Sequence, residues 1–111
     1  MKALLTAVAF VSLGTSFSAH AECPFPKAPA TIPDGSTASE AEMIAAMNAF
    51  KAYNEEVKAF QACLDEESKQ KTATMSFKAM QAKKLAAAVE ELETKAKQFN
   101  EQVRIFKARS G

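Results

Sequence analysis

The residues able to do chemistry are few. Cys23 and Cys63 are the only cysteines, His20 is the only histidine, and acids sit side by side at Glu55-Glu56, Asp65-Glu66-Glu67 and Glu90-Glu91. Two cysteines can form a redox dithiol, an intermolecular bridge or a structural disulfide. A redox pair uses C-x-x-C spacing, and Cys23 and Cys63 are nothing like that, so a structural Cys23–Cys63 bridge is the expectation. The carboxylates are poor candidates for paired acid–base work, because adjacent residues on a helix point in different directions. They read as solvated faces, with Glu91 and Lys95 as an ordinary i, i+4 surface pair.

Other chemistries lack their parts. The N-terminus runs Lys2, an apolar stretch from Ala3 to Leu13, small residues, then Ala19-His20-Ala21. That is the order of a secretory signal with cleavage after Ala21. A membrane span needs about 20 apolar residues, and Gly14, Thr15, Ser16 and Ser18 break the run earlier. Glu22 before Cys23 argues against a lipid-modified cysteine. Cleavage would take His20 away, and with it the commonest general base and metal ligand. Serine nucleophiles would then have no histidine base. Past the signal the only glycines are Gly35 and Gly111, so there is no phosphate loop, and neither a zinc-ligand spacing nor an EF-hand pattern is present. The sequence therefore predicts no enzyme, no cofactor, no metal site and no evident small-molecule substrate.

Charge narrows the partners. The chain carries 14 basic and 13 acidic residues. Loss of Lys2 would balance them, leaving no nucleic-acid footprint. With an oxidising compartment and an even cysteine count, the expected location is periplasmic or secreted, soluble once the signal is removed.

The elements that must position the cysteines follow from patterning. Residues 22–38 hold all four prolines, Pro24, Pro26, Pro29 and Pro33, and read as an extended arm near polyproline II. Its threefold repeat places Cys23, Pro26, Pro29 and Ile32 on one face. Asp34-Gly35 reads as a turn. Ser39 with Glu42 makes a capping box, Thr37 with Glu40 is an offset match, and Ala38 with Met43 is a candidate staple.

From Ser39 to Ser110 there is neither glycine nor proline. Met43, Ala46, Phe50, Tyr53, Val57, Phe60 and Leu64 form one stripe at alternating spacings of three and four, and Leu85, Val89, Leu92, Ala96, Phe99, Val103 and Phe106 form a second. Asp65 to Thr74 is polar and loses the period. The fold class is therefore all-α: a two-helix αα-hairpin over 39–110, coiled-coil-like, with helices near 40–67 and 75–108 and the proline arm tied on by one disulfide. The connection lacks the glycine that commonly ends a helix, so one continuous helix pairing with a second chain is the alternative. Lys69 and Lys71, and Arg104, Lys107 and Arg109, read as basic ends complementing the helix dipoles. A helix from Ser39 to Cys63 rises about 36 Å, and an extended arm spans roughly 50 Å, so the arm can run antiparallel to the first helix and reach Cys63.

The run Cys23-Pro24-Phe25-Pro26, then Ile32-Pro33-Asp34-Gly35-Ser36-Thr37-Ala38-Ser39, then Glu42-Met43, Ala49, Lys51-Ala52-Tyr53 and Cys63-Leu64, resembles a family of short exported proteobacterial proteins. These share a signal peptide, a CP-x-P arm, a PDG turn, helices and two cysteines. The resemblance covers Cys23 to about Leu64. It implies compartment and fold, and no mechanism.

Ile44, Met47, Phe77, Met80 and Ile105 lie off the two stripes, beyond what one seam obviously buries, and form the candidate interaction surface. Packing under the arm or in a homodimer seam is the plainer account of them. Partners are then a second copy or envelope proteins, in a protein-interaction or chaperone/adaptor-like role. The alternative role is a membrane-surface helix built on Phe99, Val103, Ile105 and Phe106 beside Arg104, Lys107 and Arg109. Zero net charge past the signal and the absence of tryptophan argue against it. Tyr53 is expected in the seam with its hydroxyl at an edge, and Phe25 as an anchor for the arm.

Overall fold

A computed structural model describes residues 23–110. The expected signal segment, its cleavage site and Glu22 lie outside the described residues. Two helices follow the arm: α1, Glu40–Ser68, and α2, Met75–Ser110. They pack antiparallel as a hairpin, with no strand among the described residues.

Each helix end has a local cause. Ser39 is the N-cap of α1: its hydroxyl accepts from the Glu42 N–H, and the Glu42 carboxylate accepts from the Ser39 N–H, completing a capping box. At the other end Lys69 is a right-handed cap whose N–H donates to the Asp65 carbonyl, and the next N–H, of Gln70, donates to that of Glu67. Among the described residues none has positive φ, so this connection turns without the left-handed conformation that would have demanded glycine. Thr74 then starts α2, its hydroxyl accepting from the Phe77 N–H at 3.0 Å.

The α1 stripe is the seam as its spacing predicts: Met43, Tyr53, Val57, Phe60 and Leu64 are buried, and Ala46 and Phe50 are partly buried. On α2 the seam departs from the expected stripe. Val89 is 36% exposed, and Ala88 and Gln81 are buried instead. Size explains the shift, since Phe60 and Leu64 cluster on Ala88 with Leu85 at the edge, and two large side chains approach more closely over a methyl group than over an isopropyl group. At the other end Phe50 stacks on Phe99 with ring centroids 4.8 Å apart. Ala38 and Met43 share a cluster with Phe99, consistent with the staple.

The arm lies along this hairpin. Its predicted inner face holds: Pro26 is buried, and Cys23, Pro29 and Ile32 are partly buried. Cys23 and Cys63 form the disulfide, with Cα atoms 5.8 Å apart. Among the described residues no helix is long and apolar enough to cross a membrane.

Candidate interaction surface

A pair of packed helices has a groove on each side of its seam, and here the two are treated differently. One groove takes the arm. Pro24 to Lys27 border Glu56, Ala59 and Phe60, and the Lys27 N–H donates to the Glu56 carboxylate at 3.2 Å. Phe25, half open to solvent, meets Phe60 edge to face at 5.4 Å, which makes it the expected anchor. Further along, Pro29 to Pro33 run beside Glu42, Ala45, Ala46 and Ala49 of α1, and Ile32 to Ser36 beside Gln98, Gln102 and Ile105 of α2.

The arm ends in a built lock. The Asp34 side chain accepts from the Ser36 N–H and hydroxyl, and its carbonyl accepts from the N–H groups of Thr37 and Ala38. The Ser36 bonds, hydroxyl first, hold the Asp34 carboxyl below its ordinary pKa. Gly35 presses on α2: a Cβ there would stand 2.0 Å from the Gln102 carbonyl oxygen, and its N–H donates to the Gln102 side-chain oxygen at 2.9 Å. Arg109 closes the lock, donating to the carbonyls of Ser36 and Ala38 at 2.9 and 2.6 Å while lying over the Phe106 ring. Arg109 stands in the last turn of α2 as a basic end, as expected, and in addition it binds the turn. The PDG sequence is thus a docking device for the end of α2.

The opposite groove carries no arm. Met43, Ile44 and Met47 of α1 face Phe99, Val103 and Phe106 of α2, with Glu40 on one lip and Lys107 on the other. Ile44 is 47% exposed and Met47 42%. The five candidate surface residues therefore separate into three places. Ile44 and Met47 share this open groove, Ile105 sits half-buried by the arm's turn, and Phe77 borders the helix connection with Met80 exposed nearby in α2.

Three readings of polar residues need correcting. The Tyr53 hydroxyl is not at an edge: the residue is 2% exposed and the oxygen has no hydrogen-bond partner among the described residues. Burial first, then the charges of Glu91 and Glu56, push its pKa up. Glu56, Glu67 and Glu91 are not simple solvated faces. Glu56 holds the arm, Glu67 is half-buried with its carboxylate against the disulfide sulfurs, and Glu91 is half-buried. Glu91 and Lys95 are not among the ion pairs of the described residues, which are Glu55–Lys58, Glu66–Lys69 and Glu101–Arg104. Glu101 falls below its ordinary pKa and Arg104 rises, each mainly through their shared hydrogen bond.

Sequence reasoning missed Gln81 altogether. It is 3% exposed with neither amide atom paired among the described residues, and only its place on the seven-residue step to Ala88 could have marked it as a seam position. No protein-family model, curated protein or solved structure matches the chain.

Proposed function

We propose that this chain is an exported, periplasmic or secreted protein-interaction module that acts by binding rather than by catalysis, in the manner of a small helical adaptor or chaperone. The observation that carries this reading is the asymmetry of the hairpin: one groove is filled by the proline arm, and the other presents Ile44 and Met47 over Phe99 and Val103. A groove between two antiparallel helices accepts a third helix bearing apolar side chains at i, i+3 and i+7. Glu40 stands on one lip of an otherwise largely apolar groove, which suits an amphipathic helix presenting a base to it. We take the occupant to be such a helix from another envelope protein.

The membrane-surface alternative draws less support. Phe99, Val103 and Phe106 face α1, Ile105 faces the arm, and Arg109 is engaged with the turn, so the apolar and basic residues that reading needs do not share one free face. The test is titration of the oxidised protein from Glu22 with a labelled amphipathic helical peptide, beside phosphatidylglycerol vesicles and light-scattering mass. Saturable peptide binding, lost in Ile44→Glu/Met47→Glu, supports the reading. Vesicle binding without peptide binding, or a dimer that buries these residues and excludes peptide, overturns it.

A further inference from the structure

The corner where the arm begins brings together Cys23, Cys63 and Glu67, their donor atoms all within 4.8 Å of one another and all three residues half-buried. The sulfurs are close because they are bonded. Glu67 is the informative member. Its carboxylate lies within reach of both sulfurs, so once the bridge is opened it stands beside two thiols or a cation that they hold. The seam of α2 holds a second polar group, Gln81, without a partner among the described residues. Phe60 and Leu64 meet Ala88 and Leu85, and one further turn of this antiparallel register sets Gln81 opposite the last turn of α1, which contains Glu67. Gln81 is buried with both amide atoms unpaired among the described residues.

We propose that Cys23, Cys63 and Glu67 form a redox-gated site for a thiophilic divalent cation of the zinc class, with Gln81 as the amide that orients the Glu67 carboxylate. A dithiol opens the bridge, delivering two electrons and two protons and becoming a disulfide itself. The resulting thiols lose two protons as the cation binds two thiolates and one carboxylate, and water fills the fourth position. A tetrahedral zinc with Zn–S bonds of about 2.3 Å keeps its sulfurs roughly 3.8 Å apart. From Cα atoms 5.8 Å apart that separation needs only side-chain rotation, so the arm stays attached in both states. The site exchanges one covalent tie for one metal tie.

The test uses the chain from Glu22, reduced with a dithiol that is then removed without air, and titrated with Co²⁺ followed by Zn²⁺. One equivalent of cobalt should give an intense thiolate-to-metal absorption that zinc displaces, and the oxidised protein should give none. Glu67→Gln should weaken cobalt binding at least about tenfold while leaving the bridge able to form, and Gln81→Leu should weaken it less. Helicity followed in parallel covers the case in which reduction loosens the fold, and zinc should then restore it. Cobalt binding no tighter than in Cys63→Ser, or unchanged by Glu67→Gln, overturns the site.

Discussion

The two grooves of this hairpin are built by the same two helices and meet different fates. On the arm side, α1 offers small residues, Ala45, Ala46 and Ala49, and the arm lies beside them, bonded at one end and locked at the other. On the bare side, α1 offers Ile44 and Met47, long side chains with nothing from the arm over them. Small residues let an extended backbone come close. Long flexible ones, methionine above all, fill the uneven gaps of an incoming surface. One side is finished as structure and the other is left as surface.

The largest way to break this contrast is to cut the bridge. It closes a loop of 40 residues, worth about 4 kcal/mol in the chain-entropy model, so Cys23→Ser/Cys63→Ser should lose roughly that much in urea unfolding. Amide exchange in the double variant should quicken along 24–38 before it does in the helix centres. Next in size is Gly35→Ala. A methyl group 2.0 Å from the Gln102 carbonyl oxygen forces the turn off α2, at a cost of about 2 kcal/mol. Arg109→Ala removes two bonds to carbonyls at an exposed site and should cost about 1 kcal/mol, read in the same denaturant series. Smallest on stability is Ile44→Glu/Met47→Glu, expected within about 0.5 kcal/mol of the parent while abolishing peptide binding. A large loss there would mean that the bare groove is core.

Tyr53 offers a pH test of the seam between the grooves. Its folded pKa is raised above the ordinary 10.0 by burial first. Folding thus favours the protonated phenol, and the associated stability is whole below the unfolded value and lost as pH rises through the folded one. With one tyrosine and no tryptophan in the chain, tyrosinate absorbance should appear only above the ordinary range, together with loss of helicity. Ionisation at the ordinary pKa in a still-helical protein would place the hydroxyl in water.

Periodicity made α1 legible residue by residue, because one unbroken three-and-four spacing carries its aromatic rings and most of its other large apolar side chains. The threefold repeat of the arm did the same for Cys23, Pro26, Pro29 and Ile32. It failed on the first half of α2, where alanines are dense: a helix carrying Ala86, Ala87, Ala88 and Val89 is marked for burial by its largest residue, while close packing against Phe60 selects the smallest. Gly35 was readable as a turn. Its pressure on Gln102 and the reach of Arg109 to Ser36 were not, because they join positions some 70 residues apart. For the candidate surface the sequence marked residues in excess of one seam. Only the path of the arm separates Ile44 and Met47, left in the open groove, from Ile105, half-buried beside the arm's turn.

The central claim is that the bare groove is the binding surface, and the most direct measurement is a chemical-shift map of the oxidised protein titrated with an amphipathic helical peptide. The account predicts saturating shifts at Ile44, Met47, Val103 and Phe106, with Pro29, Thr31 and Ile105 unmoved. Shifts centred on the arm instead, with Ile44 and Met47 silent, would contradict it.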